Sequence, residues 1–119
     1  MPTPLPLLQP DELAACCSPV TAGLVSDDAA EALARMFKAL GDPTRVKLLS
    51  LIAAAPEGEA CICDMTGPVS LSQPTVSHHM RLLVEAGLAT REQRGKWAYY
   101  RVAPDVLRSL ATALSPIAG

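Results

Sequence analysis

The sequence predicts a mainly α-helical fold with one small β-hairpin, and three observations carry that expectation. Hydrophobic residues make up 50% of the 119 positions, yet only Phe37, Trp97, Tyr99 and Tyr100 are aromatic. A composition resting on Ala, Leu and Val favours helices over a β-sandwich. Apolar residues recur at helical spacing along most of the chain, and one stretch, residues 88–102, sets two β-type runs around Arg94-Gly95, as a hairpin does. The length suits a single domain with a tail, and so thin a core is expected to be completed by pairing with a second copy, as a homodimer.

Five of the eleven prolines fall in the first 19 residues, which denies that stretch a long helix. Residues 1–26 are therefore expected to form a flexible Pro-rich arm carrying Cys16-Cys17, with at most a helical turn near residues 11–15. Residues 27–119 would form the folded domain. Ser26 or Asp27 can cap a first helix through Leu40, with Ala30, Leu33, Ala34, Phe37 and Leu40 on its apolar stripe and Gly41 ending it. Asp42-Pro43 opens a second helix with a capping acid and a proline at the first helical position. It carries Val46, Leu49, Leu51 and Ile52 toward a turn at residues 56–59. A short third helix would start near Cys61 and stop by Gly67-Pro68.

Residues 72–86 are the most informative helix. Ser72 can cap it, Pro74 fits its first turn, and Val76, Met80, Leu83 and Val84 make an amphipathic stripe. The opposite face presents Gln73, Thr75, Ser77, His78 and Arg81, varied hydrogen-bonding groups without an acid among them. The hairpin follows, and a last helix over residues 104–114 carries Val106, Leu107, Leu110 and Leu114 on one face.

The net charge of −2 excludes a generally basic nucleic-acid coat protein, but it is an average. Residues 70–102 hold five basic and two acidic side chains, for +3, and the remainder carries −5. Phosphate attraction is local, because the screening length is about 8 Å in physiological salt. Charge alone fits a solvated hairpin equally well. Helix, short turn, polar helix and basic hairpin in that order describe a winged helix-turn-helix. Gln73 could then offer a bidentate amide to adenine, with Ser72, Thr75 and Ser77 beside it. His78 and Arg81 could touch base or phosphate, and Arg91, Arg94 and Lys96 of the wing would meet phosphate or the minor groove. Adjacent helical positions diverge by about 100°, so one of His78 and His79 faces outward while the other packs inward; His78 is the favoured outward one.

The run FKALGDPTRVKLLSLI, the segment CICDM, the string LSQPTVSHHMRLLVEAGL and the wing RGKWAYYRV together resemble the ArsR/SmtB family of metal-sensing winged-helix repressors. The resemblance covers about residues 28–114, in order and at family spacing. It implies a homodimer joined through the helices at 28–40 and 104–114, with Ser72, Gln73, Thr75, Ser77, His78 and Arg81 reading double-stranded operator DNA. It also implies that the apo protein occupies the operator until a toxic ion loosens it.

CICDM is similar to the thiol motif of the family's arsenic and cadmium/lead responders, which makes Cys61 and Cys63 candidate ligands. Thiolates select soft ions, and a helix N-terminus would lower their pKa. Residues i and i+2 of an ideal helix point about 200° apart, so both reach one ion only if the segment is distorted or extended. Two small buried hydrophobes are the alternative reading. Where some arsenic sensors have a third cysteine this chain has Thr66, and a trivalent ion wants three thiolates. The resemblance therefore implies As(III) or Sb(III) held by Cys61 and Cys63 with help from Cys16 and Cys17. The same four sulfurs could take Cd(II) or Pb(II), or serve as a thiol redox sensor. The family's zinc sensors use histidines on the last helix, and residues 103–117 contain none, so no C-terminal zinc site is expected.

Other classes fit poorly. No phosphate-cradling loop follows a cysteine, as a thiol reductase would need, and a metal buffer has no use for a polar helix and a wing. No basic residue precedes Arg35, which argues against a secretory leader, and the longest apolar stretch, around residues 48–56, is too short to cross a bilayer. A soluble, cytoplasmic protein without a membrane partner is expected, where close cysteine pairs suggest ion or redox chemistry more than structural disulfides.

Overall fold

The structure is a computed structural model that describes residues 23–115. Among these residues five α-helices and three strands follow in order: α1 (Asp27–Leu40), α2 (Pro43–Ala54), β1 (Glu59–Cys61), α3 (Thr66–Val69), α4 (Gln73–Glu85), β2 (Ala89–Arg94), β3 (Trp97–Val102) and α5 (Pro104–Leu114). The expected arm, with Cys16 and Cys17, lies outside the described residues. No helix among the described residues is long and apolar enough to cross a membrane.

Local chemistry sets most of these boundaries. Ser26 Oγ accepts from the Ala29 N–H at 3.1 Å to start α1, and Asp42 Oδ2 accepts from the Arg45 N–H at 3.1 Å to start α2, with Pro43 opening its first turn. Each cap satisfies a donor that would otherwise lack a partner in the helix. Gly41 ends α1 with φ −79°, so it stops the helix without a left-handed turn. The loop between β2 and β3 is closed by the Arg94↔Trp97 pair, with Gly95 at φ +60°, the sign that tight hairpin loops require.

Two expectations need correction. Residues 61–68 were expected to be helical, but Cys61 is extended and ends a third strand, β1, which pairs antiparallel with β3. The sheet order is β1-β3-β2, so the hairpin is two thirds of a larger sheet. A 3₁₀ turn, Ile62–Asp64, leads into α3, and Gly67-Pro68 lies inside that helix. Proline is tolerated there because a first-turn N–H has no helical partner to lose. The apolar stripe of α1 is also different: Ala29, Ala32, Leu33, Met36 and Ala39 are buried, whereas Ala30, Ala34 and Phe37 are exposed. The sequence pattern had merged two apolar faces into one.

Met36 of α1, Leu48 and Ile52 of α2, Met65, and Val76, Met80 and Leu83 of α4 form the core together with Leu88. Ala60, Ala98 and Tyr100 close it from the sheet, and α5 adds Leu110 and Ala113. The core thus fixes the inner face of α4 and leaves its polar face outside.

Candidate nucleic-acid interface and thiol site

The polar face of α4 begins at its cap. Ser72 Oγ accepts from the Thr75 N–H at 3.4 Å and lies 2.9 Å from Thr75 Oγ1, so the two hydroxyls share a hydrogen bond. Ser72, Gln73, Thr75, His78 and Arg81 are exposed, while Ser77 is half-buried. Arg81 Nη2 lies 3.3 Å from His78 Nδ1, and Pro74, Ser77, His78 and Arg81 line one shallow cleft. Arg81 also approaches Glu85 at 3.7 Å, an exposed i, i+4 pair that contributes little to stability.

His79 turns the other way. Its Nδ1 lies 3.1 Å from Arg45 Nη1, and Arg45 Nε donates to the Ala39 carbonyl at 2.5 Å. Arg45 Nη2 reaches the Lys38 carbonyl at 3.5 Å. One guanidinium therefore ties the carbonyl end of α1 to α4 and holds the polar face at a fixed angle. Nothing local in the sequence marks Arg45 for this task, since its partner lies 34 positions away.

The wing divides its cations between two situations. Arg91 donates to Gln93 Oε1 at 2.5 Å and stays exposed, and Lys96 at the loop is exposed with no ion pair among the described residues. Arg94 is held: its Nη1 and Nη2 donate to the two carboxylate oxygens of Glu59 at 2.6 and 2.5 Å, and Nη2 donates to Glu92 at 2.6 Å. Its guanidinium carbon also sits 4.5 Å from the centre of the Tyr99 ring. Arg101 reaches the same Glu59 at 3.1 Å. The hydrogen bonds from Arg94, and the positive charges of Arg94 and Arg101, hold the Glu59 carboxyl below its usual range. Arg94 was expected to meet phosphate or the minor groove from the wing tip; here its charge is compensated by Glu59 and Glu92. Sequence reading missed Glu59 because β1 was not visible as a strand.

Cys61 and Cys63 sit where β1 gives way to the 3₁₀ turn. Cys61 is 5% exposed and Cys63 is exposed. Cys61 Sγ accepts from the Cys63 N–H at 3.4 Å, and the two thiols also interact through their side chains. Cys61 is extended and Cys63 lies in the 3₁₀ turn, so the divergence of about 200° in an ideal α-helix does not apply to the pair. The expected depression of thiol pKa is overturned for Cys63. Its hydrogen bond with Cys61 is the largest cause pushing it up to about 11, with desolvation and the negative charges of Cys61 and Asp64 adding to it. A three-residue 3₁₀ turn offers no long helix dipole to oppose that. Among the described residues no three His, Cys, Asp or Glu side chains gather to hold an ion. Two soft donors fit part of a soft-ion site, and further sulfurs would have to come from Cys16 and Cys17.

A polar helix presented by a second helix and flanked by a hairpin defines the chain as a winged helix-turn-helix protein. The pattern described as bacterial regulatory protein, arsR family, matches residues 42–91. The chain is 45% identical to arsenic resistance transcriptional regulator ArsR1 of Pseudomonas putida over 60% of this chain and 54% of that protein. It is 40% identical to the cadmium resistance regulatory protein CadC homolog of Staphylococcus aureus, over 66% of this chain and 63% of that one. It thus spans less than two thirds of either protein's length. The arsenical resistance operon repressor of Staphylococcus xylosus is 37% identical over 63% of this chain and 69% of its own. Among solved structures, the antimony-specific transcriptional repressor AntR superposes with a TM-score of 0.63 at 28% identity, over 77% of this chain and 82% of that one. A homodimeric winged helix-turn-helix DNA-binding domain from Mycobacterium bovis gives 0.61 at 29% identity, over 75% and 82%. The chain belongs to the ArsR family of transcriptional regulators.

Proposed function

We propose that the chain is a cytoplasmic, homodimeric repressor. It occupies a two-fold operator as apo protein and leaves it when As(III) or Sb(III) binds Cys61 and Cys63 together with sulfur from Cys16 and Cys17. The observation that carries this reading is the placement of the thiols. Cys61 ends a strand hydrogen-bonded to wing strand β3, directly opposite Tyr99, so an ion drawing the two sulfurs together pulls on the wing's own sheet. Gln73, Thr75, Ser77, His78 and Arg81, with Ser72 at the cap, would meet base edges and the nearest phosphates. Arg91 and Lys96 would meet phosphate from the wing, and Arg94 would join them only by giving up Glu59.

Dimerisation is supported by the exposed Ala30, Ala34 and Phe37 stripe of α1 and by Leu114 of α5, 59% exposed. Two copies related by a two-fold axis place two reading helices on two half-sites. Coupling of about 1–3 kcal/mol between ion and DNA lowers operator affinity roughly 5–150-fold.

Similarity to the cadmium regulator favours a second reading, Cd(II) or Pb(II) held by all four thiolates. Ultraviolet charge-transfer titration of the reduced protein with arsenite, antimonite and cadmium, repeated on each single Cys→Ser variant, distinguishes the two. Arsenite is expected to need Cys61, Cys63 and one arm thiol. An undiminished arsenite band in both C61S and C63S contradicts the site, and a band needing all four sulfurs only with cadmium establishes the second reading.

A further inference from the structure

We propose that Glu59 is a specificity-setting residue: by holding the Arg94 guanidinium within the sheet it limits the positive charge that the wing offers to DNA phosphate and suppresses binding to non-operator DNA. This inference rests on the operator-binding reading above.

Three features of the outer sheet face carry it. Glu59 receives both guanidinium nitrogens of Arg94 in a paired arrangement, at 2.6 and 2.5 Å, and its side chain is only 12% exposed. Such fork-to-fork pairs are stronger and more directional than ordinary surface ion pairs. Glu92 on the strand itself and the Tyr99 ring beneath complete the cradle, so Arg94 is held from three sides. Arg101 anchors the same carboxylate from β3 and reaches back to the Glu57 carbonyl at 3.2 Å. Glu59 lies on β1, while both arginines lie on the wing strands. The wing is thereby tied to the segment that carries the thiols.

The consequence for DNA follows from charge. Each phosphate neutralised by a cation releases condensed counterions and adds about −0.9 to the slope of log affinity against log salt, whatever the sequence. Such contacts raise affinity for every site alike, and a regulator must find a few operators among a large excess of other DNA. An arginine compensated by Glu59 is withheld from this unspecific attraction, while exposed Arg91 and Lys96 remain available.

Equilibrium binding of wild-type protein and E59Q to an operator duplex and to a random duplex, across a salt series, tests this. E59Q is expected to bind the random duplex about an order of magnitude more tightly at low salt. Its salt slope should steepen by about one for each wing engaged, and the operator-to-random ratio should fall. The double variant E59Q/R94Q should lose the added slope. If E59Q fails to fold, E59D, whose carboxylate is set back by one methylene from the Arg94 guanidinium, should steepen the slope in the same direction by less. An unchanged slope in the folded variant, or a double variant as steep as E59Q, overturns the role of Glu59. Wild-type protein that binds no duplex in a salt-dependent way instead overturns the operator reading itself.

Discussion

Arg45 shows how one side chain can position a polar helix face it does not belong to. It links the Ala39 and Lys38 carbonyls to His79, so Arg45→Ala leaves carbonyls and an imidazole without their charged donor. The expected loss is about 2 kcal/mol, seen as a lower urea midpoint with an unchanged denaturant slope. Cys63 gives a second test at this scale. With its pKa pushed up to about 11, the thiol stays protonated at neutral pH and ionises only as pH rises toward that value. In a variant carrying C16S and C17S, its alkylation rate should keep rising beyond the ordinary thiol value of 9.0; a plateau there contradicts the assignment. A soft ion must displace this proton, so ion binding should release protons and tighten with increasing pH.

At the scale of elements, the turn between α3 and α4 contains a non-glycine residue in a left-handed conformation. Ser70 has φ 57° and ψ 40°, which an L side chain adopts at a cost of roughly 1 kcal/mol. Ser70→Gly removes that strain and should stabilise the fold by about 0.5–1 kcal/mol in urea melts, while a loss of stability would contradict it. The long elements were legible in the sequence because their signals are local. Ser26, Asp42 and Ser72 announce three helix starts with one side chain each, and Val76, Met80 and Leu83 mark the buried face of α4. The strand β1 was not legible. Three residues, Glu59, Ala60 and Cys61, are too few to show a period of two, and their partners Tyr99, Tyr100 and Arg101 lie about forty positions on. The thiol geometry was hidden with it, since it follows from that strand. Of the wing cations, Arg91 and Lys96 are exposed, whereas the pairing of Arg94 depends on a carboxylate visible only in three dimensions.

For the whole molecule, the two apolar faces of α1 explain why so small a chain should pair. One face, through Leu33 and Met36, builds the protomer core; the other, Ala30, Ala34 and Phe37, is exposed among the described residues. Phe37→Glu should leave helix content and the core intact, because the ring is already 36% exposed. It should convert the dimer to monomer in sedimentation and weaken operator binding; a persistent dimer would contradict the assigned face. In the proposed dimer an acidic chain would present two basic modules, residues 70–102 of each copy, side by side while its remainder stays negative.

In the proposed repressor an ion held by thiols releases DNA bound elsewhere on the molecule. The decisive experiment titrates arsenite into a complex of reduced protein with a labelled duplex enriched from a random pool, followed by fluorescence anisotropy. Operator affinity should fall roughly 5–150-fold in the wild type and stay unchanged in a C61S/C63S variant. Wild-type affinity unaltered by arsenite with every thiol reduced would rule out release through the thiols.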